Sequence, residues 1–533
     1  MIAGLAVAMA AGTISAGPYE ASASPPRPAS SAVPAAQVDA PVPDITWEPC
    51  QGDLRCATVR VPLDYDDPAG PTTELALAQR AAADPDARIG TLFVNPGGPG
   101  ESAVGNLPWF VDNLPADVRE RFDVVGVDPR GVGGSSPLRC RVAGDAVEAP
   151  EEEFPLTRHQ EQERLRHDSH VRRACATGAG PIIDHMSTAD TARDMDLIRQ
   201  AVGDEQLTYY GISYGSYLGA TYAAMFPDRI RAMVVDGVVD PVAYATGHGE
   251  DDAHERPVTQ RWGSARGTWE TLTSAFAECD RVGGQRCPTA GESAAKWQRI
   301  VDRLERGPVE VDGTVLRYQD MVATAAGSLA GVASYLPLMQ LIDATYDDMF
   351  GDPAERRRAD AGAALARLHE QAAGRTDSGD SPAPVTQGVL CADSANPPHP
   401  RAWTEAAGPA DAEAPWFGRL WSWRSSLCAQ WPGSSDDAFR GPFATETSAP
   451  VLLIAHRHDP STPISGARAL NTLLADSRLL TLDGWGHGAL GESTCVGAKA
   501  ADYLVSGTLP PAGTVCRQDD EPFPPPGAGP GTS

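Results

Sequence analysis

The stretch from Gln206 to Phe226 constrains this chain more than any other part of it. A strand-like run over Gln206 to Tyr210 leads into Gly211-Ile212-Ser213-Tyr214-Gly215, and a helix rich in small residues follows over Tyr217 to Phe226. Strand, tight turn and helix form the setting in which a G-x-S-x-G pattern lifts a serine onto a strained corner, its glycines letting two backbones pass closely. A packing turn with an incidental serine would need none of that context. A chain with such a corner must supply a sheet whose strand ends there and a helix that packs back onto it.

The flanking sequence meets that demand. Strand-like runs occur at Glu74 to Gln79, Gly90 to Val94, Phe122 to Val127 and Arg231 to Asp236, and a helix-like segment spans Thr188 to Val202 behind Ser187-Thr188 and Asp190. This alternation predicts an α/β fold with a mostly parallel central sheet covered on both faces. The pattern changes over residues 241–440, which read as helices and polar loops and hold eight of the eleven tryptophans. Alternation resumes with a strand at Pro450 to Ala455, a helix at Ile464 to Leu474 and a strand at Arg478 to Leu482. The expected organisation is a core formed by 45–240 and 441–519, with 241–440 inserted as a helical cap.

The ends read differently. Ile2 to Ala16 is small and apolar and Ala21-Ser22-Ala23 resembles an A-x-A cleavage site, so 1–23 is expected to be a secretory signal peptide. Residues 24–44 read as a flexible Pro/Ala/Ser leader and 520–533 as a flexible tail. No cysteine precedes Cys50, so no lipid anchor is expected, and a secreted, extracellular protein is. The ten cysteines fall as near neighbours, Cys50/Cys56, Cys140/Cys175, Cys279/Cys287, Cys391/Cys428 and Cys495/Cys516. Five local disulfides in an oxidising compartment suit that pattern, although spacing alone leaves other connectivities open. There is no C-x-x-C pair to favour zinc. With 71 acidic against 43 basic residues the net charge is −28, which argues against nucleic acid or an anionic membrane surface as partner.

A serine hydroxyl is a weak nucleophile and needs a general base. In a sheet of this kind the acid and then the base follow the serine along the chain. His487 lies in the Gly-rich run Asp483-Gly484-Trp485-Gly486-His487-Gly488, just after a strand, and is the candidate base. Asp459, in His458-Asp459-Pro460 after another strand, is the candidate acid that would hold the imidazole tautomer. Asp483 ends the strand that leads to the histidine, His456 and His458 precede the acid, and Ser135 and Ser136 lack the corner. Acyl transfer also needs donors for a developing oxyanion. The N–H of Tyr214 is one candidate, and Gly98, in the loop after Val94, offers the other.

Together these residues resemble a known family. Pro96-Gly97-Gly98-Pro99-Gly100 resembles the H-G-G-P-G signature of prolyl aminopeptidases among the α/β-hydrolases, with Pro96 where those enzymes carry histidine. The N-P-G-G-P-G form, Asp128-Pro129-Arg130-Gly131-Val132-Gly133, Tyr210 to Gly215 and Gly507-Thr508-Leu509-Pro510 resemble secreted actinobacterial tripeptidyl aminopeptidases. So do Gly513 to Cys516, Trp47…Cys50…Cys56 and Val61-Pro62-Leu63-Asp64-Tyr65, and the likeness spans roughly residues 45–517. It implies an α/β-hydrolase with a cap that releases tripeptides or similar units from free N-termini, with a peptide as partner and no metal or organic cofactor. It also implies an anionic group for the substrate ammonium. Glu101, where many relatives carry glycine, and Asp393 are the candidates, while Glu250-Asp251-Asp252 reads as solvated surface. An esterase or amidase acting on a small metabolite is the alternative, and a non-catalytic binding protein would not require the Ser213/Asp459/His487 set.

Overall fold

The computed structural model describes residues 38–140, 149–311, 314–351, 383–434 and 436–527. The expected signal peptide and most of the expected leader lie outside these residues. Ten strands form one sheet: β1 (Glu48–Pro49), β2 (Arg55–Pro62), β3 (Thr72–Arg80), β4 (Gly90–Asn95), β5 (Phe122–Val127), β6 (Leu207–Ile212), β7 (Ile230–Asp236), β10 (Val451–His458), β11 (Ser477–Trp485) and β12 (Val515–Arg517). The spatial order is β1-β2-β3-β5-β4-β6-β7-β10-β11-β12, and a separate hairpin pairs β8 (Val309–Val311) with β9 (Thr314–Leu316). From β5 to β12 every pairing is parallel, whereas β1, β2, β3 and β5 pair antiparallel. This is the α/β-hydrolase fold. Every residue of β4 and of β6 is buried, as a parallel strand covered on both faces should be.

The helices beside the corner show why the chain folds as it does. Ser187 caps the helix Thr188–Ala201, its Oγ accepting from the Asp190 amide at 3.0 Å. The helix Tyr214–Met225 is buried along its whole length. It has almost no polar face because the sheet lies on one side of it and Thr188–Ala201 packs against the other. The motifs Val61 to Tyr65 and Asp128 to Gly131 meet in one buried knot. Arg130 pairs with Asp194 at 2.6 Å, donates to the carbonyls of Leu63 and Pro62 at 2.7 and 3.0 Å, and Tyr65 donates to Asp194 at 2.6 Å. These motifs therefore hold the core together. A buried guanidinium is tolerable only with its donors matched in this way.

The chain between β7 and β10 is mainly helical, with long helices at Ser264–Val282, Ser293–Leu304, Tyr335–Phe350, Ala383–Asp393 and Arg401–Glu413. Trp297, Trp403 and Trp423 are fully buried there and account for much of the tryptophan content by packing alone. All five neighbouring cysteine pairs are disulfides: Cys50–Cys56, Cys140–Cys175, Cys279–Cys287, Cys391–Cys428 and Cys495–Cys516. No helix among the described residues is long and apolar enough to cross a membrane. Within the segment read as a flexible tail, Phe523 is fully buried and its carbonyl accepts from Arg286.

Candidate active site

The loops that follow β4, β6, β7, β10 and β11 all leave the carboxyl ends of parallel strands, the edge where open α/β sheets place their ligands. Ser213 stands at the end of β6 with φ 58° and ψ −122°, a conformation a non-glycine residue adopts only under strain. Its amide donates to the Asp236 carbonyl at 2.9 Å, which ties the corner to β7. Gly215 is needed for close approach: a Cβ there would lie 2.7 Å from the Asn95 carbonyl oxygen.

Asp459 follows β10 and is buried, 2% exposed. It accepts from the amides of Ser461 and Thr462, both at 2.8 Å, and from the Thr462 hydroxyl at 3.0 Å. His487 Nδ1 lies 3.0 Å from each Asp459 oxygen. A carboxylate only accepts, so the Nδ1 proton faces Asp459 and Nε2 is left as the basic nitrogen. Burial disfavours the imidazolium, but the Asp459 charge outweighs it and holds the His487 pKa above the ordinary histidine value. Burial likewise raises Asp459, and the histidine pulls it back below the ordinary carboxylate value.

Asp236, at the end of β7, collects the histidine loop. Its Oδ2 accepts from the amides of Ala489 and Leu490 at 2.7 and 3.2 Å and from the Tyr210 hydroxyl at 3.0 Å. Burial pushes its pKa up to about 6 against those hydrogen bonds. Nothing in the sequence separates this residue from other strand-end acids, and Thr462 likewise has no motif to mark it.

The loop after β4 presses on the corner. Gly97 has φ +108°, and a Cβ on it would meet the Ile212 carbonyl oxygen at 2.6 Å, Ser213 Cβ at 2.9 Å and the Tyr214 amide nitrogen at 3.0 Å. The loop thus lies directly against the Tyr214 N–H. Its far end is pinned by Asp128, which accepts from the Val104 and Gly134 amides at 2.9 Å and from Ser102 Oγ at 2.7 Å.

Ser213, His487, Gly98, Tyr214 and Glu101 all line one cavity of about 820 Å³. Residues from the helical insertion close it, among them Tyr244, Trp262, Trp421, Arg424 and Gln387. Glu492, from the loop beyond His487, lines it too and carries no motif that would single it out in sequence. Asp393 is elsewhere. It is 1% exposed and absent from the lining, with Oδ1 accepting from the Thr188 amide at 2.7 Å and Oδ2 from the Thr188 hydroxyl at 2.6 Å. Thr188 Oγ1 in turn lies 2.5 Å from the Tyr214 hydroxyl. The expectation that Asp393 meets a substrate amine is corrected on that ground: both its oxygens are committed inside the protein, behind the ring of Tyr214.

Comparison with known proteins agrees with this architecture. Residues 90–265 match the alpha/beta hydrolase fold family and residues 414–516 the family described as TAP-like protein. The tripeptidyl aminopeptidase of Streptomyces lividans is 29% identical over 90% of this chain and 88% of its own. Serine protease Hip1 of Mycobacterium tuberculosis is 30% identical over 89% of this chain and 91% of its own, and carboxylesterase B of that organism 31% over 92% and 93%. The chain therefore belongs to the tripeptidyl aminopeptidase-like family of α/β-hydrolases and is a serine hydrolase.

Proposed function

We propose that this enzyme is a secreted aminopeptidase that releases tripeptides or similar short units from free N-termini through an acyl-enzyme. Ser213 attacks the scissile carbonyl while His487 Nε2 takes its proton. Asp459 keeps the imidazole in that tautomer and stabilises the imidazolium. The N–H groups of Gly98 and Tyr214 receive the oxyanion. His487 then protonates the leaving amine, and water, activated by the same nitrogen, releases the peptide. Glu101, three residues beyond Gly98, is assigned to the substrate ammonium. The five disulfides support an extracellular site of action.

One observation carries the reading: a serine on a strained corner and a carboxylate-bound histidine open onto the same capped cavity. The likeness to a carboxylesterase favours a second reading, an esterase or amidase using the same triad. Initial rates separate them. A free-amine tripeptide anilide, its N-acetylated twin and a short-chain nitrophenyl ester are compared with wild type and Ser213→Ala. The aminopeptidase reading requires the free amine to be cleaved far faster than its twin and Ser213→Ala to abolish this. Equal rates on both peptides, or turnover of the ester alone, would replace it with the second.

A further inference from the structure

The wall of the cavity contributed by the insertion ends in a positive charge. From Tyr214, beside the nucleophile, ring centroids step 6.3 Å to Tyr244, 5.6 Å to Trp262 and 6.4 Å to Trp421. The guanidinium carbon of Arg424 sits 4.2 Å over the Trp421 ring. Trp421 is itself fixed, its Nε1 donating to Thr268 Oγ1 at 2.9 Å. The aromatic rail and its terminal cation are therefore built into the framework of the insertion.

Arg424 lines the cavity and its side chain remains accessible within it. Among the described residues no ion pair within 4.0 Å involves its guanidinium; Glu153 acts on it only from farther away. Two buried arginines are matched by carboxylates, Arg130 by Asp194 and Arg199 by Asp196, and Arg261 by main-chain carbonyls. A guanidinium stacked on an aromatic ring, with its edge donors open to the cavity, is well suited to a planar carboxylate. The opposite sign lines the same cavity at Glu101, whose charge acts on His487, and at Glu492.

We propose that Arg424 is a specificity-determining residue that binds a carboxylate of the peptide substrate. The inference rests on the peptidase reading and names a chemical class for its substrate: peptides with an acidic side chain on the released unit, or with a free C-terminal carboxylate on the leaving side. It assigns Arg424 no part in the bond-breaking steps.

The test uses ratios within each enzyme. Tripeptide anilides carry Glu or Gln at each of the three positions in turn, and a tetrapeptide is offered as free acid or C-terminal amide. Wild type is expected to favour the acid over its neutral partner at one of these sites by roughly tenfold or more in kcat/KM, the scale of a charge-assisted pair. In Arg424→Gln that ratio should fall to about one, and in Arg424→Glu the same site should turn to favour Lys. The site that responds tells a side-chain acid from a C-terminal one. Ratios near one at every site in wild type overturn the proposal, with no variant needed; so does a preference that survives Arg424→Gln. If every peptide is inert while nitrophenyl esters turn over, the peptidase reading fails by itself. Arg424 is then judged on esters of graded acyl length with a terminal carboxylate against their methyl esters. An acid preference lost in Arg424→Gln would keep its role, and a neutral preference at every length would end it.

Discussion

Replacing Gly97 by alanine perturbs the site through one methyl group, and its effect follows from distances. The new Cβ would stand 2.6 Å from the Ile212 carbonyl oxygen. Ordinary contact begins near 3.4 Å, so loop and corner must part by about 0.8 Å. Displacements near 1 Å in an active site cost on the order of a hundredfold, the same scale as losing one oxyanion donor. Alanine at φ +108° adds a backbone cost of about 1–3 kcal/mol to stability. Gly203→Ala separates the two effects. Gly203 has φ +86°, open space within 4 Å of where the added methyl would stand, and lies before β6 at the end away from Ser213. Both variants should lose stability in urea titrations. Only Gly97→Ala should lose kcat, by about a hundredfold, on a nitrophenyl ester. A folded Gly97→Ala enzyme with kcat within about threefold of wild type would show that the loop does not supply the oxyanion donor.

Three further outcomes follow from the site and its surroundings. Asp459→Asn should lower kcat by about 10⁴-fold, because an amide no longer enforces the Nδ1–H tautomer. In wild type kcat/KM should rise as pH passes a His487 pKa above the ordinary histidine value, since Nε2 must be neutral to accept a proton, and in Asp459→Asn that limb should move to lower pH; an unmoved limb refutes the pairing. Asp393 has its pKa raised to about 7 by burial, partly offset by Thr188, so the folded state binds its proton more tightly than the unfolded chain. Its contribution to stability therefore falls between about pH 4 and pH 7, by on the order of 4 kcal/mol, and Asp393→Asn should gain on wild type across that window in urea titrations; a constant difference between the two would count against it. Removing Cys391–Cys428 by double serine substitution opens a 37-residue separation and should cost about 3–4 kcal/mol of stability, and an unchanged unfolding midpoint would be contrary evidence.

Most of the sheet is legible in the sequence because its strands are short apolar runs bounded by turns. The run Gly90 to Val94 falls within one residue of β4, and Phe122 to Val127 coincides with β5. The antiparallel edge is less visible: β2 carries alternating exposed residues and stands out only for the motif at its end. Ser213, Asp459 and His487 are legible because chemistry restricts each to a strand end in fixed chain order. Asp393 misleads because a carboxylate beside a cysteine carries no mark of burial; only the fold shows it turned toward Thr188. Arg424 is invisible for the converse reason. Its neighbours in sequence carry no motif, and its role depends on Trp262 and Tyr244, brought beside it by packing from a distant segment.

The disulfides carry a consequence for biosynthesis. Their spans, 50–56, 140–175, 279–287, 391–428 and 495–516, neither nest nor overlap. A chain threaded into an oxidising compartment from its N-terminus would present each cysteine with its native partner before the next pair arrived. Every bridge could close once and in order, and none would have to be broken to make a later one. No crosslink joins the insertion to the sheet either, so oxidation finishes each local segment while leaving the docking of insertion onto sheet to noncovalent packing.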